Sequence, residues 1–285
     1  SSPADNATAV ATTSNIVLNF SEAVDVETGN IVIYKSSDDS VVETIDVTSG
    51  QVTGTGSTQI TINPSSDLAE QTEYYVQIAA TAFDDSSSNS YAGISDTTTL
   101  SFTTADETNP SLSSSSPADN ATAVATTSNI VLNFSEAVDV ETGNIVIYKS
   151  SDDSVVETID VTSGQVTGTG TTQITINPSS DLAEQTEYYV QIAATAFDDS
   201  SSNSYAGISD KTTYSFTTAD ETAPVVSSVS PADDATAVAT NSNFVINFSE
   251  AVDVETGNIV IYKASDDSVL ELSLIHISEP TRRVF

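Results

Sequence analysis

Residues 15–35 read NIVLNFSEAVDVETGNIVIYK. In the opening six residues Ile16, Leu18 and Phe20 fall on one side and Val17 and Asn19 on the other, the period-two alternation of a half-buried strand. The stretch closes on a second such run, NIVIYK. It recurs unchanged as residues 129–149, and with two substitutions as residues 243–263. Each occurrence lies 114 residues after the last, so the fold question becomes one about a repeated unit.

Residues 1–114 and 115–228 differ only at Ser57/Thr171, Thr97/Lys211, Leu100/Tyr214, Asn109/Ala223, Ser111/Val225 and Leu112/Val226. The third copy stays in register through Glu271. There the chain turns to LSLIHISEPTRRVF, which holds the only histidine, His276, and both arginines, Arg282 and Arg283. Leu272–Arg282 resembles a translated sequencing-library adapter, so a non-native tail is expected over 272–285; a genuine C-terminus of unusual composition is the alternative.

The chain has 285 residues, 41 acidic and 6 basic, and a formal charge of −35. Nucleic acid and anionic membrane surfaces are repelled by such a chain, and cations are its natural partners. The absence of cysteine excludes disulfides and thiolate metal sites. No apolar run approaches the eighteen or so residues of a membrane span.

Outward from residue 35, alternation continues in ETIDV, TQITIN, EYYVQIA and TTLSFTT, with Gly, Pro, Asn, Asp and Ser between the runs. With a strand before SSPAD this makes about seven short strands per repeat and no helix, the pattern of a two-sheet antiparallel sandwich with Greek-key connections. The run LAEQTEYYV places Leu68, Thr72 and Tyr74 as in a tyrosine corner, where a buried Tyr at a strand start returns its hydroxyl to upstream backbone. Tyr188 repeats the arrangement. An aromatic ligand platform at Tyr74–Tyr75 is the competing reading.

Taken in order, the SPADNATAV opening, the Phe-Ser-Glu closing the second strand, the Leu-x5-Tyr corner and the final Phe-Thr-Thr resemble the SbsA-type bacterial Ig-like domain. The likeness covers nearly all of the chain up to Glu271. At DDSSSNSYAG the sequence departs from the family's Asp-x-x-Gly-Asn, which leaves the conformation of that loop, and any ion there, open. The resemblance implies tandem immunoglobulin-like β-sandwiches of the kind found as spacers in S-layer proteins, adhesins and secreted proteins of bacteria. The expected organisation is repeat 1 over 1–109 with its first strand clipped, repeat 2 over 110–223 and a truncated repeat 3 over 224–271, a fragment of a longer extracellular or cell-surface protein.

Nucleophilic catalysis needs a base beside its nucleophile, and up to Glu271 there is neither histidine nor cysteine. GQVTGTG lacks the lysine of a phosphate loop. An enzyme is therefore not expected. Calcium is, because it takes six to eight oxygen ligands and each full repeat carries sixteen Asp and Glu. Three groups of candidate ligands stand out. SEAVDVETGN offers Glu22 and Asp25 with Glu27 and Asn30, read as one loop, and Glu136 and Asp139 in repeat 2. The loop before the last strand offers Asp84 and Asp85 with Asn89, and Asp198 and Asp199. At the junctions, Asp106 and Glu107 are expected to face Asp119, and Asp220 and Glu221 to face Asp233. A solvated acidic coat is the alternative to all three.

The sequons at Asn6 and Asn19 are read as chance. The expected role is a spacer whose partners are neighbouring repeats. A module using its end loops to bind the carbohydrate or protein ligand of a parent adhesin is the alternative, and near-identity of the copies favours the spacer.

Overall fold

A computed structural model describes residues 1–274, so the expected tail lies outside the described residues from residue 275 onward. Residues 1–219 form one compact unit and the remainder another.

The first unit contains two sandwiches. Repeat 1 has β1 (Ala7–Val10), β2 (Ile16–Val26), β3 (Asn30–Lys35), β4 (Ser40–Asp46), β5 (Val52–Thr53), β6 (Ser57–Ile62), β7 (Glu73–Ile78), β8 (Phe83–Asp85) and β9 (Ser101–Thr104). Repeat 2 has β10 (Leu112–Ser116), β11 (Ala121–Val124), β12 (Ile130–Val140), β13 (Asn144–Lys149), β14 (Ser154–Asp160), β15 (Val166–Thr167), β16 (Thr171–Ile176), β17 (Glu187–Ile192), β18 (Phe197–Asp198) and β19 (Ser215–Thr218). One sheet of each repeat runs β1-β9-β7-β3-β4 or its counterpart β11-β19-β17-β13-β14. The other is β5-β6-β2-β8 in repeat 1 and β10-β12-β16-β15, with β18 also on β12, in repeat 2.

Alternation fixes what each sheet buries. Ile31 and Ile33 of β3, Ile60 and Ile62 of β6, and Val76 of β7 are fully enclosed, while Val32, Thr61 and Gln77 between them stay partly exposed. Each such aliphatic side chain contributes about 1.5–3 kcal/mol on burial. Ile45 and Val47 also point inward, as their alternation with Thr44 and Asp46 requires. The corner forms as read: Tyr74 is buried, and its hydroxyl accepts the Ala69 amide at 2.9 Å. Tyr188 does the same for Ala183. The neighbouring Tyr75 is on the opposite face of β7, so Tyr74 and Tyr75 form no shared platform.

Three features depart from the sequence reading. ATAV forms a strand, β1, that pairs parallel to β9, whereas an antiparallel sandwich was expected throughout. It is short and its alternation is hidden, because the register slips between Ala7 and Val10. Second, β2 runs on through SEAVDV, so Glu22 and Asp25 belong to a strand rather than a loop. A register shift between Asn19 and Val24 lets β2 leave β6 and take up β8, which absorbs its extra length. Third, β8 and β18 are strands inside what reads as a long acidic loop. The β5–β6 turn also depends on glycine: Gly54 has φ +104°, and a Cβ there would lie 2.1 Å from the Gln59 carbonyl oxygen.

The second unit holds β20 (Val226–Ser230) on β21 (Val245–Phe248), and β22 (Asn258–Lys263) on β23 (Ser268–Leu274). The pairing of β22 and β23 follows that of β3 and β4 position by position, through Asn258 opposite Leu274. Ile259 is 49% exposed here, where its counterparts Ile31 and Ile145 are enclosed. Among the described residues of this unit no third strand covers that face.

Candidate functional site

The segment between the first two sandwiches is held on both sides. Towards repeat 1, the Ala105 amide donates to Val10 and the Gln71 amide to Ala105. The Gln71 side chain donates to the Asp106 carboxylate, and Thr108 Oγ1 to Glu70 at 2.7 Å. Glu107 accepts both the amide and the hydroxyl of Thr12, the latter at 2.7 Å. Towards repeat 2, Asn203 Nδ2 donates to the Asp106 carbonyl at 3.1 Å, and Ser111 and Ser135 exchange hydrogen bonds.

This arrangement brings Asp106 to Glu136 of β12 and to Asp199 of the turn after β18. One carboxylate oxygen from each lies within 4.8 Å of the others. Asp199 is 5% exposed and fixed by the Ser201 and Asn203 amides and the Asn203 side chain at 2.7–2.8 Å. Burial, together with Asp106, Asp199 and Glu70, pushes the Glu136 carboxyl above its ordinary value. Beside the three carboxylates opens a cleft of about 490 Å³, lined by Gln71, Asp106, Glu136 and Ser201. The two described ion pairs, Lys211 with Asp153 and Lys263 with Asp266, involve none of them.

The expected junction partners are thus partly corrected. Asp119 does not meet Asp106 and Glu107; it receives the Ser215 amide at 3.0 Å inside repeat 2, as Asp5 receives that of Ser101 in repeat 1. Glu107 is turned back onto Thr12. Asp25 stands opposite Asp84, and Asp139 opposite Asp198, as cross-strand neighbours. Asp85 is pinned by Ser87 and Asn89 as Asp199 is by its counterparts, while Glu22 is exposed where Glu136 is half-buried. In the second unit Asp220 accepts the Thr222 amide and Asp233 that of Asp234. The grouping of Asp106, Glu136 and Asp199 was hidden because its members are 30 and 63 residues apart along the chain. The nearest signal was that each belongs to a different acidic motif.

Three hard oxygen donors that share no ion pair among the described residues match the chemistry of calcium or magnesium rather than a soft metal. Like charges so placed are unfavourable unless a proton or cation sits among them.

The search of curated proteins returns no match. Among solved structures, the chain is similar to a biofilm-associated protein BSP domain, at 14% identity over 77% of this chain and 30% of that one, with a TM-score of 0.21. It is also similar to a chimeric titin Z1Z2–Z1Z2 tandem carrying a GRGDS peptide, at 11% identity over 75% of this chain and 95% of that one, with a TM-score of 0.22. The chain therefore spans under a third of the biofilm-associated structure. A family profile described as a bacterial Ig-like domain matches three times, over residues 1–104, 106–218 and 220–281. With the sandwiches and tyrosine corners above, these three matches make the chain a member of the bacterial Ig-like domain family.

Proposed function

We propose that the chain is a run of spacer repeats from a bacterial surface or secreted protein, and that a calcium ion held by Asp106, Glu136 and Asp199 stiffens the junction between the first two. The observation that supports this most is the linker itself. Asp106 is tied to repeat 1 through Gln71 and to repeat 2 through Asn203, and its carboxylate faces two from repeat 2. A cation there would neutralise the repulsion and oppose bending about the linker, where Pro110 already restricts the chain.

Spacing also fits the chemistry elsewhere. The six differences between repeats include Lys211 in a surface ion pair and Tyr214 buried in the core. No acidic residue differs between the two full copies.

The test is thermal unfolding of the full chain in calcium, in magnesium and in chelator at matched ionic strength, so that screening is constant. With free calcium about 100-fold above its dissociation constant, the ion would add about 2.7 kcal/mol. For a domain of this size that is about 10 °C in midpoint. A shift no larger in calcium than in magnesium would remove the ion from the proposal.

A further inference from the structure

The chain contains no cysteine, methionine or tryptophan, and its one histidine is His276. Up to Glu271, tyrosine is therefore the side chain most easily oxidised by one electron, since the sulfur residues that normally take such damage are missing. There are ten tyrosines. Among the described residues, two pairs of them are in ring contact, and these pairs are the same in both full repeats.

Tyr34 of β3 lies directly opposite Tyr75 of β7, and Tyr148 of β13 opposite Tyr189 of β17. Their ring centroids are 4.8 Å apart in each case, with interplanar angles of 10° and 6°. Most contacting aromatic pairs elsewhere in the repeats are tilted or edge-on, such as Phe20 with Tyr91 at 88°. The stacked pairs sit on the outer face of the sheet, with Tyr34 half-exposed and Tyr75 5% exposed. The Tyr75 hydroxyl donates to Asp39 Oδ1 at 3.1 Å, so a carboxylate stands ready to accept the phenolic proton.

We propose that Tyr34–Tyr75 and Tyr148–Tyr189 are oxidative coupling sites, each closing to a dityrosine bridge between adjacent strands when the chain meets a peroxidase and hydrogen peroxide. Each phenol loses one electron to the peroxidase and its proton to Asp39 or water, giving two phenoxyl radicals. Spin density on the ring carbon beside each phenolic carbon lies in the π face, and in these pairs the π faces meet. The two carbons join, and each ring hydrogen leaves that carbon as the ring becomes aromatic again. Overall, two ring C–H bonds and one O–O bond break, one C–C bond forms, and hydrogen peroxide is reduced to two waters. The bridge ties β3 to β7, the centre of the sheet, in a chain that has no disulfide. The third repeat supplies an internal contrast: Tyr262 keeps the same hairpin neighbour, Val269 where Tyr34 has Val41, but it is 59% exposed and among the described residues no second tyrosine stacks on it.

The experiment treats the dilute full chain with peroxidase and hydrogen peroxide, then reads biaryl fluorescence, mass and cross-linked peptides. The expected result is emission with a loss of two hydrogens per closed pair, bridges mapped to 34–75 and 148–189, unchanged monomer mobility and a raised thermal midpoint. The Tyr34→Phe, Tyr148→Phe double variant keeps the stacked rings and should lose most of the emission. Peptide mapping of the unsubstituted chain decides the matter even if that variant misfolds. Absent emission, bridges at other tyrosines, or cross-linking only between chains through Tyr262 would overturn the proposal.

Discussion

Replacing Glu136 by Gln should raise stability in chelator and lower it in calcium, and the opposite signs make the test sharp. Facing carboxylate oxygens of Asp106, Glu136 and Asp199 lie within 4.8 Å of one another. Two unit charges at that distance repel by about 1 kcal/mol in water and about 3 kcal/mol at an effective dielectric near 20. Glu136 is half-exposed, so the lower value applies to each of its two contacts. Neutralising it therefore relieves about 2 kcal/mol in the metal-free chain, or about 8 °C for a domain of this size. In calcium the same change removes one of three charged ligands and with it most of the ion's contribution of about 2.7 kcal/mol. Calorimetry of parent and variant in both buffers reads the two shifts directly. The sign with pH is also fixed. A folded-state carboxyl raised above its ordinary value contributes stability that is complete below the ordinary carboxylate range and is lost as pH rises through the raised value. Metal-free parent should lose stability across that window more steeply than the variant. Coincident melting curves in chelator would refute the electrostatic reasoning, and equal calcium shifts in parent and variant would refute the assignment of the ligand.

Removing the Tyr188 hydroxyl with Tyr188→Phe leaves the Ala183 amide without its partner and should cost about 1–3 kcal/mol in repeat 2, read by denaturant midpoint. Gly54→Ala should destabilise repeat 1 by more than about 1 kcal/mol, because φ is positive and the added carbon meets backbone; an unchanged midpoint would show that the turn can open. Four hydrogen bonds from Thr98 and Thr99 hold the Asp96 carboxyl down at about 2. Its stabilising effect is thus present above the ordinary Asp value and lost as pH falls through about 2, and Asp96→Asn should blunt acid unfolding of repeat 1 over that window. Limited proteolysis should cut within 224–271 first, since Ile259 and its neighbours are exposed there, and survival of that segment as a resistant fragment would contradict the account.

The sandwich was legible because its interior is written in alternation that needs no tertiary context. Ile31, Ile33, Ile60 and Ile62 could be placed from sequence alone, and so could Tyr74, whose spacing from Leu68 is a local constraint. Strands that depend on irregular register were not legible. ATAV does not read as a strand, because it is four residues long and its two pairings with β9 are out of phase. SEAVDV reads as a loop because acidic residues dominate it, yet Val24 is buried and Val26 packs on the core, which is enough to hold the strand. For the candidate site, residue types were legible and partners were not. Asp106, Glu136 and Asp199 each stood out as acidic, but which of them meet depends on how repeat 2 docks on the linker. Asp119 was expected there and instead accepts the Ser215 amide, a choice set by the pairing of β11 with β19.

The parallel pairing of β1 with β9, and of β11 with β19, has a mechanical meaning. Tension on repeat 2 enters through β10, and once β10 has yielded from β12 it passes to β11 and leaves through β19. When those strands lie side by side and parallel, their outer ends point in opposite directions of pull, and the hydrogen bonds between them are strained along the strands together. An antiparallel terminal pair would open from one end, a bond at a time. Ala121–Val124 against Ser215–Thr218 is thus a clasp that resists stretching by sliding rather than peeling, and it bears load after the strand ahead of it has yielded.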